Sequence, residues 1–332
     1  MTAKDSGNGW RLFQGDGRVR EVEFPEAPPW RQFGVAPAGG GRRRQRPYLI
    51  EPAEADVVSA ALLLRRPLLV TGQPGTGKSS LAHAIAHELH LGRVLHWPIN
   101  SRTTLQDGLY HYDAIGRLRE ANLRRDRADG HGPLAEEPDI GSYVRLGPLG
   151  TALVPVARPR VLLIDELDKG DIDLPNDLLT IFEEGEFEIP ELARLSREQD
   201  RVRVVTADPE GRAATERGWV RCAEFPVVVI TSNGERDFPP AFLRRCVRLD
   251  LPEPDEERLR AIVRAHLGDG AGTDTDAVEG LDELVRAFLS RRASGELATD
   301  QLLNAVFLRR GGVGLDADGL LDAVLHRLGG TV

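Results

Sequence analysis

Eight consecutive residues, Gly72-Gln73-Pro74-Gly75-Thr76-Gly77-Lys78-Ser79, satisfy the pattern G-x-x-x-x-G-K-[ST] at every fixed position, and Ser80 follows. The chemistry that pattern serves is phosphate binding. Glycines let the backbone turn until its N–H groups face an anion, and a helix beginning near Lys78 adds the positive end of its dipole. Lys78 then reaches the β- and γ-phosphates of a nucleotide, and Ser79 offers a hydroxyl to Mg2+. The chain prefers arginine so strongly that Lys4, Lys78 and Lys169 are its three lysines among 43 basic residues. A lysine at this position by drift is therefore a poor explanation. A glycine-rich turn without a ligand is the weaker reading.

A second group of residues separates the possible reactions. Val161-Leu162-Leu163-Ile164-Asp165-Glu166 is an apolar run ending in two carboxylates. Asp165 suits Mg2+ held through water, and Glu166 suits polarising an attacking water. Transfer to another acceptor needs no base for water, so the pair favours hydrolysis. An acidic pair at an exposed strand end is the bland alternative, and the upstream loop counts against it. Val227-Val228-Val229-Ile230-Thr231-Ser232 leads to Asn233. Ligands of parallel sheets sit at the carboxyl ends of strands, so this amide belongs beside the phosphate loop. Phe238-Pro239-Pro240 then starts a helix with proline in its first turn, and the segment ends in Arg244-Arg245.

Strands alternating with helices are needed to hold these groups. A helical face runs through 54–64, Pro67 stops it, and Leu68-Leu69-Val70 reads as a short buried strand. Apolar residues at 81, 82, 85, 86 and 89 repeat at helical spacing after the loop, and Gly92 closes that helix. Strands follow at 94–99, 161–164 and 225–232. The pattern predicts an α/β fold, a parallel sheet with helices on both faces. Beyond Pro252-Glu253-Pro254 the strand signals stop, and 255–268, 277–291, 299–310 and 319–328 each read as helix. A small all-helical subdomain is expected there.

The boundaries that follow are an N-terminal extension at 1–47, a nucleotide-binding domain at 48–251 and a helical subdomain at 252–332. In the extension, 10–14 and 18–24 read as a weak hairpin, and 39–44 (Gly-Gly-Gly-Arg-Arg-Arg) as a flexible linker. Two inserts lengthen the central domain. Residues 103–150 carry a charged helix at 113–127 and a Gly/Pro-rich loop. Residues 186–224 read as a hairpin with a polar tip at 207–211. Both are candidate working surfaces; elaboration without partner contacts is the alternative.

Composition narrows the class further. A chain of 332 residues buries enough apolar surface to fold without disulfides or metal, and its two cysteines, Cys222 and Cys246, could build neither a disulfide framework nor a zinc cluster. No apolar run approaches membrane-spanning length, and 1–10 lacks the apolar stretch of a secretion signal, so a cytosolic address is expected. A net charge of −9 argues against coating nucleic acid through bulk charge. His83, His87 and His90 share a helix but lack zinc-protease spacing, and neither a guanine-reading N-K-x-D nor an L-S-G-G-Q element occurs.

The order of phosphate loop, Asp165-Glu166 strand, strand ending in Asn233, arginine pair and helical lid resembles the AAA+ ATPases. Gly147-Pro148-Leu149, the Asp165-Glu166 strand and Leu178-Leu179-Thr180-Ile181-Phe182-Glu183-Glu184-Gly185 resemble, in that order, the MoxR-like branch. The resemblance extends from about 50 to 310 and includes the segments 97–101 and 109–113. It implies a P-loop NTPase core with a helical lid, ATP and Mg2+ as cofactors, and a ring-shaped homo-oligomer, a hexamer, that remodels or activates a protein client. A von Willebrand factor A-type partner is implied as well, without membrane insertion. By the same resemblance Asn233 is the polar sensor of the γ-phosphate. Arg245, with Arg244 beside it, is the arginine finger for a neighbouring subunit, and Asn100 holds Glu166 back until substrate engages. The lid departs from the family: Glu296-Leu297-Ala298-Thr299-Asp300 stands where a basic residue opens the third lid helix, which leaves that basic sensor unassigned, with Arg291 or Arg292 as substitutes or a lid weakly coupled to nucleotide as the alternatives. Two rival readings are a nucleic-acid-associated NTPase motor of restriction type and a nucleotide switch or scaffold in a signalling or defence assembly.

Overall fold

The computed structural model describes residues 10–13, 15–31, 48–129, 139–196, 199–267, 275–293, 295, 297–315 and 319–326. The linker at 39–44 and the Gly/Pro-rich loop at 130–138 lie outside them. The chain divides into a larger unit, 50–72 with 78–251, and a smaller one, 1–49 with 73–77 and 252–332.

The larger unit opens with helix α1 (Pro52–Leu64). Proline takes its first position, where no N–H is needed, and Glu54 accepts from the Glu51 N–H at 3.0 Å. Strand β1 (Leu68–Thr71), helix α2 (Lys78–Glu88) and strand β2 (Leu95–Pro98) follow. The first insert holds α3 (Leu105–Leu109), β3 (Tyr110–Tyr112), α4 (Ala114–Asp129), β4 (Val144–Leu146) and α5 (Pro148–Ala152). Next come β5 (Val161–Asp165), α6 (Leu174–Glu184), β6 (Glu186–Glu188) and α7 (Pro190–Ala193). Strands β7 (Arg201–Val205), β8 (Arg212–Glu216) and β9 (Trp219–Arg221) complete the second insert. The unit ends with β10 (Val227–Ser232), α8 (Pro240–Leu243) and β11 (Val247–Asp250).

Five of these strands form one parallel sheet in the order β11-β1-β10-β5-β2. Its three inner strands are apolar and largely buried, β10 at all six positions, as a strand covered on both faces must be, whereas the edge strands β2 and β11 alternate with exposed residues. Helices flank the sheet, making this an α/β P-loop NTPase core of the kind the sequence implies. Strand β11 was not anticipated: Val247-Arg248-Leu249-Asp250 is short and alternates in burial, so its sequence has no buried-run signal. The other strands lie within two residues of the expected ends.

The two inserts form a single six-stranded sheet, β3-β4-β7-β8-β9-β6. The first insert gives β3 and β4, the second gives the rest, and Arg145 of β4 meets Val205 of β7 across the join. Within 186–224, read from the sequence as a hairpin with a polar tip at 207–211, β7 and β8 pair antiparallel around that tip, which is tied back by Arg160, whose guanidinium donates twice to Asp208 at 2.8 Å.

In the smaller unit, α9 (Glu256–Leu267), α10 (Thr275–Arg292), α11 (Thr299–Arg310) and α12 (Leu320–Val324) pack around Leu259, Val263, Val285, Phe288 and Leu302. This is the all-helical C-terminal part the sequence implied. The weak hairpin at 10–24 is not formed among the described residues: no strand occurs there, and Asp16 instead pairs with Arg20. Trp10 and Trp30 pack on the helical cluster, and the Trp30 indole N–H donates to Asn304 at 2.9 Å. Alternation alone could not make strands without a partner to pair with.

Candidate functional site

Topology brings the candidate residues together. Strand β10 lies between β1 and β5, so the carboxyl ends of the three strands present Gly72, the Asp165-Glu166 pair and Asn233 side by side. Sheet order also reverses direction around β1, the place where open parallel sheets bind ligands.

Within the larger unit, Lys78 opens α2 and is buried, its Nζ donating to the Gly72 carbonyl at 2.7 Å. Burial pulls the lysine pKa down, while Asp168, Glu166 and Asp165 work against that fall. Ser79 follows, and its hydroxyl donates to Asp165 Oδ1 at 2.6 Å; Ser80 is exposed. Residues 73–77 group with the smaller unit. There Thr76 turns back on the Gln73 carbonyl through both N–H and hydroxyl, and Pro74 is half-buried. Gly75 and Gly77 have φ of 79° and 92°, which disfavour a side chain. A Cβ on Gly75 would also stand 2.6 Å from Ala298 Cβ and 2.8 Å from Thr299 N, at the start of α11.

Asp165 ends β5. Burial opposes its charge, but hydrogen bonds from His96, Ser79 and Thr231 outweigh that and hold the carboxyl at about 2. His96 Nε2 lies 3.1 Å from Oδ2, and Thr231 Oγ1 donates to Oδ1 at 2.7 Å. An ionised carboxylate and a hydroxyl on adjoining elements suit a hard cation that shares its remaining oxygens with phosphate and water. Mg2+ is usually held that way, by one or two protein oxygens together with phosphate and water. Ser79 and Asp165 therefore fit Mg2+.

Glu166 adopts the left-handed conformation, φ 59° and ψ 50°. For a residue with a side chain this costs about 1–3 kcal/mol, and such strain collects at functional sites. Its N–H donates to Thr231 Oγ1 at 2.8 Å. Its carboxylate lies 2.9 Å from Lys169 Nζ and 3.5 Å from Asn233 Nδ2. The Glu166 contact raises the Lys169 pKa.

Asn100 follows β2: its Oδ1 accepts from Arg102 N at 2.9 Å and its N–H donates to Thr103 Oγ1 at 3.0 Å, so in this structure it shapes its own turn. Arg245 is half-buried and bonds Glu183 of α6 and the Ala241 carbonyl. Arg244 is exposed, and its carbonyl accepts from Arg66. In the helical unit Arg291 pairs with Asp322 at 2.7 Å and Arg292 with Glu253 at 3.2 Å.

The structure thus brings Lys78, Ser79, Asp165, Glu166 and Asn233 together within one unit. It adds His96, Thr231, Asp168, Lys169 and Glu183, to which the sequence reading gave no site role. Asp168 and Lys169 stand two and three residues after the acidic pair, and Lys169 is one of three lysines, so these two had a signal. His96 and Thr231 had none, and Glu183 stood in the 178–185 run without a site role, because their meaning depends on which strand or helix lies beside them.

The family model described as AAA domain, dynein-related subfamily, matches residues 67–246, more than half of the chain. The matched stretch contains the phosphate loop, both carboxylates, Asn233 and both arginines. No curated protein matches the chain.

Proposed function

Because the chain belongs to the AAA domain family, dynein-related subfamily, we propose that it is a MoxR-like, Mg2+-dependent ATPase working as a ring-shaped oligomer, a hexamer, on a protein client. Membership carries general nucleotide-binding ATPase character. The observation that supports hydrolysis is the meeting of Glu166 and Asn233 above an ionised Asp165, next to Lys78 and Ser79.

In this reading the loop 72–79 and Ser80 take the phosphates, with Lys78 neutralising the β- and γ-groups. Ser79 and Asp165 hold Mg2+, which supplies charge neutralisation of the phosphate oxygens when bound. Glu166 accepts a proton from the attacking water, and the Asn233 amide orients that water without adding charge. Arg245, or Arg244 beside it, reaches the nucleotide of a neighbouring subunit. Asn100 is retained as a restraint on Glu166 only through a change of its turn, since its side-chain oxygen now serves Arg102.

The proposal extends to the division into extension, nucleotide-binding domain and lid at 1–47, 48–251 and 252–332, to a cytoplasmic address and to a von Willebrand factor A-type partner. No described helix is long and apolar enough to cross a membrane.

Glu166→Gln tests the central claim. The amide keeps the shape but cannot take a proton, so turnover should fall at least about a hundredfold while ATP still binds. Unchanged hydrolysis, measured as phosphate release at saturating ATP, would move the base elsewhere.

A further inference from the structure

Asp168 lies in the short turn Leu167–Lys169 directly after the acidic pair, and only 3% of it is exposed. Its Oδ2 accepts two backbone donors, Asn233 N at 2.9 Å and Glu235 N at 3.1 Å. Its Oδ1 is buried and has no hydrogen-bond partner among the described residues. A buried carboxylate is costly unless hydrogen bonds compensate it, and these two are charge-assisted. Both donors belong to one turn, and they flank Gly234. That glycine has φ 78°, and a Cβ there would meet nothing within 4 Å, so side-chain packing does not hold the turn at Gly234. The amide of Asn233, meanwhile, points at Glu166 Oε1.

We propose that Asp168 is a positioning residue: its carboxylate clamps the 233–235 turn from both sides of Gly234 and so sets Asn233 against Glu166. The clamp links the turn after β5 to the end of β10, the two segments that must keep a fixed spacing while water is held between them. The inference rests on the reading of Asn233 as the water-orienting residue.

Two measurements on the full chain test it. Backbone amide exchange at 233 and 235 reads the clamp itself. Turnover at saturating ATP, in wild-type and Asn233→Ala backgrounds, reads its use. In Asp168→Ala both amides should exchange at least about tenfold faster, and turnover should fall about tenfold to a hundredfold. Asp168→Asn keeps a neutral acceptor and should recover part of both. In the Asn233→Ala background, removing Asp168 should cost less than about threefold more, because the group it places is already gone. Protected amides in Asp168→Ala overturn the clamp alone, and so does a full, additive loss on top of Asn233→Ala. Wild-type turnover in Asn233→Ala strikes down the role of Asn233 and this proposal with it. If Asp168→Ala does not fold, Asp168→Asn carries the same comparison: amides as protected and turnover as high as wild type would show that a charged acceptor is not needed.

Discussion

The hydroxyl of Thr231 is within hydrogen-bond reach of both acidic residues: it donates to Asp165 Oδ1 and accepts from the Glu166 N–H. Thr231 is 1% exposed, so neither bond can be replaced by bulk water. The second bond also supports a residue in a strained backbone conformation. Thr231→Val preserves volume and removes both bonds, leaving the Glu166 N–H without its acceptor. We expect a loss of about 1–3 kcal/mol in stability, read by urea unfolding. Turnover should fall by more than a neutral core substitution of equal stability cost, since Glu166 loses its support. A variant as stable and active as wild type would show that the backbone at 166 is held by other contacts.

Among the elements, the six-stranded sheet depends on segments far apart in the chain. Its hairpin tip is secured by the Arg160–Asp208 pair, in which both side chains are mostly buried. The Arg160 hydrogen bond comes first in holding the Asp208 carboxyl below its ordinary range, with burial opposing it. As pH falls, therefore, the unfolded chain takes up this proton before the folded one. The stabilisation is fully present above the ordinary carboxylate value near 4 and is lost as pH drops through the lower folded value. Asp208→Asn should be less stable than wild type by about 1 kcal/mol at pH 7. The gap should close as the pH is taken below the ordinary carboxylate value and through the lower folded one. Chemical denaturation at several pH values checks it; a gap that persists in acid would point to packing rather than charge.

At the scale of the whole molecule, the proposed ring requires that neighbouring subunits share a site. Arg245 bonds Glu183 and the Ala241 carbonyl on its own chain, at the end of α8. If it serves a neighbour's nucleotide, Arg245→Ala should bind ATP normally and hydrolyse it about 10³–10⁵ times more slowly. Lys78→Ala should fail to bind. Mixed under conditions of subunit exchange, the two should regain part of the activity, because some interfaces then pair an intact Lys78 with an intact Arg245. A mixture that stays inactive would remove the support for a shared site, and Arg244 would be tested in the same way.

The sequence by itself determined the phosphate loop, the acidic pair and the strand leading to Asn233, because each is a local pattern whose residue types follow from its chemistry. It also determined the alternating core and the helical C-terminal part, since burial on both faces of a strand and on one face of a helix leaves a period in the chain. The tertiary structure decided what depends on neighbours. It added β11, whose four residues gain strand character by pairing with β1, and joined two inserts through Arg145 and Val205, some sixty residues apart. It assigned His96, Thr231 and Asp168 to the site through contacts spanning 65 to 69 residues. Such pairings carry no local signature, because a side chain's hydrogen-bond partner is chosen by strand order and register, and these exist only once the sheet has formed.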